Sequence, residues 1–313
     1  MFVVCGEALF DLFMTGTPGQ VDMFKAQHGG SPYNVAVGMA RLGSEVGFFS
    51  GISKDFLGQQ IMRALEAEKI SQNYVVPKNA PTTLSLVMLD AQGGPSYAFY
   101  GANAADRVLE LVDLPVLTSA TTGLHFGSYS LVCEPAANTY MALAEREAGQ
   151  RLISVDPNVR LNVETDVALW RTRVAQWVAL ASVVKVSIED LELLYPGADP
   201  VLLAESWVAG GVGLVVVTKG AAGALAVTAN FMQEVSAPLV TVVDSVGAGD
   251  AFQAALLHQL SFRGCRDVAA LKALSALDLL EIINFACMAG ALTCTRQGAD
   301  LPRLVEIQKA ISS

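Results

Sequence analysis

The stretch Val240-Thr-Val-Val-Asp-Ser-Val-Gly-Ala-Gly-Asp-Ala-Phe-Gln-Ala-Ala-Leu-Leu-His-Gln-Leu260 limits what this chain can become more than any other. Leu239 to Val243 is β-branched and apolar, which predicts a buried strand. Gly247-Ala248-Gly249 then offers backbone with almost no side chain in the way. From Asp250 onward, Ala, Phe, Leu and Gln predict a helix with small residues on one face. A glycine turn that opens a helix gathers N–H groups at the positive end of a helix dipole, a site for an anion such as phosphate. A carboxylate at that place, Asp250, repels phosphate unless it has a task, such as taking the proton of an attacking hydroxyl. The plainer possibility is that the glycines shape a tight turn and Asp250 caps the helix.

The rest of the chain alternates. Strands are expected at Phe2 to Cys5, Val46 to Ser50, Gly123 to Phe126, Leu152 to Val155, Val183 to Val186 and Leu214 to Val217. Helices are expected at Val35 to Leu42, Phe56 to Lys69, Ala136 to Ala148 and Leu191 to Tyr195. Repeated strand–helix units imply a parallel sheet covered on both faces, with ligands at the carboxyl ends of the strands. Two stretches break the rhythm. Val21 to Gln27 reads as a short exposed strand after the turn Gly16-Thr-Pro-Gly19. Thr82 to Leu89 and Ser96 to Tyr100 flank the turn Asp90 to Pro95 as a β-hairpin. Together they predict either a small antiparallel sheet of their own or an edge of the main one.

Length and composition narrow the function. A chain of 313 residues suits one large α/β domain or two modest ones. With 52% hydrophobic and 16% charged residues it is a globular chain, not a disordered one. A net charge of −10 with no basic cluster argues against a nucleic-acid partner. The five cysteines (Cys5, Cys133, Cys265, Cys287, Cys294) lack C-x-x-C spacing and read as core residues in a reducing compartment. Leu279 to Cys294 is too short and too interrupted to span a bilayer, and the N-terminus has no leader pattern, so a cytoplasmic protein without a membrane partner is expected. His28, His125 and His258 are scattered, which gives no support to a histidine metal site or a Ser-His-Asp triad.

Three further constellations stand out. His28-Gly-Gly-Ser-Pro-Tyr-Asn34 is a second glycine loop running into a helix. Val155-Asp-Pro-Asn-Val-Arg160 ends a strand, so its polar side chains reach the ligand edge of the sheet, unless they only make an Asx turn. Ser187-Ile-Glu-Asp190 is a relative of the capping box.

Asp244-Ser-Val-Gly-Ala-Gly-Asp-Ala-Phe252 closely resembles the C-terminal signature of the ribokinase-like (PfkB) carbohydrate kinases. The Gly29-Gly30…Asn34 stretch resembles their N-terminal signature, and the likeness runs along nearly the whole chain. It implies one ribokinase-like α/β domain over 1–313, a mostly parallel sheet with helices on both faces and a small antiparallel β lid from about 10–31 and 80–102. In such kinases Asp250 is the catalytic base, and the turn Gly247, Ala248, Gly249 is the anion hole. Gly29, Gly30 and Asn34 touch the sugar, as does the residue matching Asp11. Arg160 faces substrate or phosphate, where a bidentate contact suits it.

The nucleotide side is implied at Lys185, Ser187, Thr218, Lys219, Gly220, Gly223 and Cys287. Lys219 reaches a nucleotide phosphate or is simply solvated. Cys287 stands where Asn or His is commoner, which leaves no polar adenine contact there. The family holds magnesium through an Asn-x-x-Glu, which Ser187 and Asp190 replace here, so Asp190 supports the metal, caps the helix, or does both. Asp244 matches the Asp that often holds potassium. ATP and Mg²⁺, with K⁺ as a possible addition, are the implied cofactors. A homodimer through the lid is the implied partner.

Gly6-Glu-Ala-Leu-Phe-Asp11, Thr82-Thr83 and Asp156-Pro-Asn-Val-Arg160 look most like fructokinases, with 2-keto-3-deoxygluconate the alternative substrate. The expected reaction is transfer of the γ-phosphoryl of ATP to a primary sugar hydroxyl. A dinucleotide oxidoreductase is disfavoured because no G-x-G-x-x-G follows the first strand, and a Walker NTPase because G-x-x-x-x-G-K-[ST] is absent. A sugar-binding regulator without catalysis is disfavoured by the intact Asp250.

Overall fold

A computed structural model describes residues 1–15, 23–89 and 95–312. In chain order it begins β1 (Phe2–Cys5), β2 (Leu9–Thr15), β3 (Met23–Gly29), α1 (Ser31–Arg41), β4 (Val46–Phe49), β5 (Gly51–Ser53) and α2 (Phe56–Ala67). Next come β6 (Val76–Lys78), β7 (Leu84–Leu89), β8 (Pro95–Tyr100), β9 (Gly123–Gly127), α3 (Ala136–Glu147), β10 (Leu152–Asp156), α4 (Val167–Leu180), β11 (Val183–Ser187) and α5 (Ile188–Leu194). The chain ends with α6 (Pro200–Ala209), β12 (Leu214–Thr218), β13 (Ala224–Val227), β14 (Met232–Val235), α7 (Ala248–Phe262), α8 (Val268–Lys272), α9 (Ala276–Cys294) and α10 (Leu304–Ile311).

Eight strands form the main sheet in the order β14-β13-β12-β11-β10-β9-β1-β4. The six from β12 to β4 run parallel, and the β13–β14 hairpin adds an antiparallel edge. Because side chains alternate along a strand, each strand feeds two cores. Phe2, Val4, Val183 and Val216 pack with α1, α7 and α9; Val3, Cys5, Val184 and Val215 pack with α3, α4 and α6. The alternating units read from the sequence are therefore present, and the fold is the ribokinase-like one expected.

The hairpin and its companion strand form a separate four-stranded sheet, β3-β2-β7-β8, and not an edge of the main one. β2–β3 and β7–β8 are antiparallel hairpins, joined by a parallel pairing of β2 with β7. Only three residues separate β1 from β2, so this sheet rises directly from the carboxyl end of the main one. Met14, Met23, Phe24 and Tyr100 are exposed on it. The expected turns at 16–19 and 90–94 lie outside the described residues.

Some expectations fail. Leu239 to Val243 is no buried strand: it lies outside any strand with Leu239, Val242 and Val243 exposed, bends at Val243, and is tied there by the Val243 and Asp244 amides donating to the Cys294 carbonyl. β-branched residues favour extended backbone whether or not a neighbouring strand pairs with it, and composition cannot tell the two apart. Phe56, the first residue of α2, is exposed, while Ile61 and Leu65 are buried. Cys5, Cys265 and Cys287 are buried, whereas Cys133 and Cys294 are half-buried; all five are free. α9 has the length and apolar composition of a membrane span, yet Leu279, Ile282, Ile283 and Phe285 are packed in the core.

Candidate active site

Two glycine loops feed helices that meet over the carboxyl ends of the main strands. Gly247 caps α7 with φ 79°, a left-handed conformation that glycine adopts without steric cost, and a Cβ there would lie 2.7 Å from the Ala299 Cβ. Gly30 caps α1 at φ 102°, and neither cap makes a side-chain hydrogen bond. No side chain therefore covers either N-terminus, although Pro32 brings no N–H to α1 and the Ala248 amide of α7 donates to the Ser245 carbonyl at 3.2 Å.

The helices touch closely because of residues one turn further in. A Cβ on Gly38 would come within 2.6 Å of both the Ala254 Cβ and a Leu301 methyl. Gly38 follows Asn34 by four residues, and Ala254 follows Asp250 by four. The small pair in the second turn thus brings the polar pair in the first turn together. Asn34 Nδ2 donates to Asp250 Oδ2 at 2.8 Å and the Ser31 hydroxyl donates to Oδ1 at 2.6 Å. Asn158 adds a long contact to Oδ1 at 3.5 Å from its place at φ 39° after β10. Asp250 is 7% exposed and held on both oxygens, so it does more than cap a helix.

Asp11 lies in β2, opposite Gln27 of β3 and Ser85 of β7. Its Oδ2 occupies the space a Cβ on Gly29 would need, which explains that glycine. Burial pushes its carboxyl up to about 6, against the Ser85 hydroxyl and the Arg160 guanidinium and with the help of the Asp250 charge. Asp11 thus sits against Gly29 within electrostatic reach of Arg160 and Asp250, and Asn34 touches Asp250 directly. Arg160 donates to the Val159 carbonyl at 3.0 Å and, more weakly, to that of Asn158. Beneath the first loop lies Glu7, buried with Oε2 unpaired; burial pushes it up to about 8, opposed by the Ser128 hydroxyl. Thr82 and Thr83 serve structure: they donate to Asp55 at 2.7 Å and to Asp106 at 2.5 Å.

On the other side of Asp250, Asp156 and Lys185 form a buried ion pair at 2.8 Å. Ser187 caps α5 by accepting the Asp190 amide at 3.0 Å, and Asp190 Oδ1 accepts the Val159 amide at 2.9 Å. Ser187 thus caps the helix, whereas the Asp190 carboxylate does not complete a capping box and instead fixes the Asp156-to-Arg160 loop. Burial pushes the Asp190 carboxyl up. Thr218 ends β12 beside Ser187. Lys219 pairs with Glu234, so its ammonium is not simply solvated, and Gly220 and Gly223 turn the chain into β13. Cys287 is buried, its thiol pushed up to about 11 by burial. Asp244 ties two loops, accepting the Val246 amide at 3.0 Å and the Gly298 amide at 2.8 Å.

Among the described residues no group of three or more His, Cys, Asp or Glu is gathered as metal ligands. Sequence reasoning missed Ser31 as a site residue, and it set Asp156 and Asn158 at the ligand edge without their partners. Those partners are 219, 29 and 92 residues away for Ser31, Asp156 and Asn158.

Residues 1–305 match the family described as pfkB family carbohydrate kinase. The chain is 38% identical over 260 residues to a fructokinase of Rhizobium leguminosarum bv. trifolii, covering 83% of this chain and 79% of that one. It is 34% identical to a fructokinase of Escherichia coli, covering 95% and 94%. Among solved structures, a fructokinase with bound ATP from Xylella fastidiosa superposes with a TM-score of 0.88 at 29% identity over 99% and 98% of the two chains. A double-mutant fructokinase from Vibrio cholerae O395, bound to fructose, ADP and potassium ion, gives 0.86 at 30% over 98% and 97%. The chain therefore belongs to the pfkB family of carbohydrate kinases and is itself a sugar kinase.

Proposed function

We propose that the chain is an ATP-dependent fructokinase that moves the γ-phosphoryl group of ATP to a primary hydroxyl of fructose. The observation that carries this reading is the grip on Asp250, a carboxylate at the N-terminus of an open-ended helix held by residues of the opposite glycine loop. That arrangement aims a base at the junction between a sugar pocket and an anion hole. Asp11, Gly29, Gly30, Asn34 and Arg160 hold the hydroxyl-rich substrate with paired donors and acceptors. As the oxygen–phosphorus bond forms, Asp250 takes the hydroxyl proton. The amides of Gly247, Ala248, Gly249 and Asp250 point at the charge that develops on the phosphoryl oxygens.

The nucleotide lies toward Lys185, Ser187, Thr218, Lys219, Gly220, Gly223 and Cys287 in this reading. Mg²⁺ arrives with the nucleotide and neutralises charge on its phosphates. Asp190 fits such an ion, since only its Oδ1 has a protein donor among the described residues. Asp244, with both oxygens already accepting amides, fits K⁺ only as an organiser of the two loops whose carbonyls would ligate it. The small sheet is the lid over the sugar, and its exposed Met14, Met23, Phe24 and Tyr100 are an apolar surface for a second copy. Five free cysteines suit a cytoplasmic, reducing setting.

A coupled assay of ATP consumption over fructose, 2-keto-3-deoxygluconate, ribose and aminoimidazole riboside tests the substrate. Fructose should lead in kcat/KM by about tenfold or more, the discrimination that paired buried hydrogen bonds supply. A lead for any other sugar overturns the assignment.

A further inference from the structure

The register of the main sheet lines up four residues at its carboxyl edge, on the face that α7 covers. Gly127 of β9 stands opposite Asp156 of β10, and the β10–β11 register carries Asp156 on to Lys185, which stands opposite Val216 of β12. Lys185 is 3% exposed and Asp156 wholly buried. The ammonium donates to Asp156 Oδ2 at 2.8 Å and to no other protein acceptor among the described residues. It lies 3.2 Å from the point a Cβ on Gly249 would occupy, so nothing but glycine backbone stands between it and the turn.

A buried ion pair is a poor way to stabilise a core, since an apolar pair of similar volume usually does as well or better. The neighbours here are apolar: Val183 and Val216 lie in the same core. Two of the three ammonium N–H groups remain without a protein acceptor, at the one place where the fold gathers amides for an anion. The site also needs a cation. Asp250, Asp156, Asp190 and Asp11 crowd it with carboxylates, and Arg160 is engaged by backbone carbonyls.

We propose that Lys185 is the cation of the anion hole: its ammonium, steadied by Asp156, contacts the phosphoryl group in transfer from beneath Gly249. This rests on the kinase reading of the site and goes beyond a nucleotide contact. No bond to Lys185 forms or breaks. The phosphorus–oxygen bond to ADP breaks, the bond to the sugar oxygen forms, and the hydroxyl proton passes to Asp250. Meanwhile the ammonium shares its hydrogen bonds between Asp156 and the oxygens that gain charge.

The test compares Lys185→Met with the double variant Asp156→Asn/Lys185→Met, which leaves no unpaired charge buried. Both should lose about 10²-fold or more in kcat, the range for removing a donor to a developing oxyanion. Sugar KM and ADP affinity should stay within a few-fold of wild type. Affinity for ADP with aluminium fluoride and sugar, which mimics the phosphoryl group in flight, should fall with kcat. A double variant that turns over within a few-fold of wild type means Lys185 only neutralises Asp156. Nitrogen-15 spectroscopy of lysine in the wild-type protein gives a check independent of variant folding. The Lys185 signal should move on adding ADP, aluminium fluoride and sugar, but little with ADP alone; an unmoved signal overturns the proposal. Asp250→Asn separates the two ideas, because its activity reports on the base and not on Lys185.

Discussion

The two glycine loops, Gly29-Gly30 before α1 and Gly247-Ala248-Gly249 before α7, are built alike and used differently. Each ends in a glycine cap at positive φ, and neither helix start is covered by a capping side chain. The first turn of α7 carries the acid Asp250; that of α1 carries none and offers the donors Ser31 and Asn34. What lies beneath them differs as well. Under the α1 loop Glu7 is a buried carboxyl with no salt bridge, held largely uncharged, and under the α7 turn Lys185 is a buried cation. A neutral floor suits a sugar, whose hydroxyls need partners but bring no charge. A cationic floor suits a phosphoryl group. In the proposed mechanism two similar loops divide one reaction between them, and Asp250, bonded by Ser31 and Asn34, is where they join.

The largest effect comes from breaking the join at its acid. Asn has nearly the shape of Asp and can still accept from Ser31, yet it cannot take a proton. Asp250→Asn should fold and bind both substrates while kcat falls by about 10²–10⁴, the usual range for losing a general base. Calorimetric melting and steady-state kinetics check this together. A variant that turns over near the wild-type rate ends the base assignment; one that melts early shows that the carboxylate chiefly ties α7 to Ser31 and Asn34 of α1.

Next in size is the sugar side alone. Asp11→Ala removes acceptors from buried hydroxyls, at ~1–3 kcal/mol. Fructose binding should weaken by about tenfold or more, at ~1.4 kcal/mol per decade, with ATP binding unchanged. The pH dependence has a definite sign. Asp11 is pushed up to about 6, so it is protonated below that value and ionised above it. An ionised carboxylate accepts on both oxygens, so fructose KM should fall as pH rises through about 6, and this limb should vanish in the Ala variant. A limb that persists belongs to another group.

The pairing of the two loops was only half legible in the sequence. Glycines before a small-residue helix and a lone acid at its start are local signals, and Gly247 to Asp250 could be read directly. The alternation of β9 to β12 was legible for the same reason, since each strand is a short apolar run between turns. Contacts of long sequence separation were not. Ser31 was passed over because a serine before proline at a helix start reads as local structure; its hydroxyl serves Asp250, 219 residues away. Lys185 could be singled out, but not its pairing with Asp156, because two polar residues in different strands show no common register until the sheet is built. Leu239 to Val243 misled through composition, since an exposed segment outside any strand and a buried strand draw on the same β-branched residues.

A smaller effect should follow from separating the helices without touching the chemistry. In Gly38→Ala the new methyl meets Ala254 and Leu301 at 2.6 Å, which packed helices relieve only by shifting. Overpacking of this kind costs about 1–3 kcal/mol. The same shift lengthens the Asn34–Asp250 contact, so kcat should drop several-fold with a lowered Tm. Adding Ala254→Gly should restore much of both, because it removes the clash between the helices and leaves only the Leu301 side chain to turn aside. If stability recovers and kcat does not, the close approach of the helices is not what sets the Asn34–Asp250 distance.

The smallest effect on activity and the sharpest on pH concerns the neutral floor. Burial holds Glu7 at about 8 in the folded chain, against 4.5 as its ordinary value, so folding favours the protonated form. The unfolded chain then releases that proton at lower pH than the folded chain does. Stability from this group is complete below about 4.5 and is lost progressively as pH rises toward 8, because the unfolded state binds fewer protons throughout that window. Gln resembles the protonated side chain and does not titrate. Glu7→Gln should therefore match wild type in Tm at pH 4.5 and exceed it increasingly up to about pH 8, by roughly 1–2 °C for each kcal/mol in a chain of this size. Since the sugar loop needs a neutral residue there, and not a charge, kcat and fructose KM at neutral pH should change less than about twofold, the scale of surface or isosteric changes in general. A Glu7→Gln protein that loses sugar affinity while gaining stability would show that the floor of the α1 loop is charged in use. The contrast with the cationic floor under α7 would then be one of sign, not one of neutral against charged.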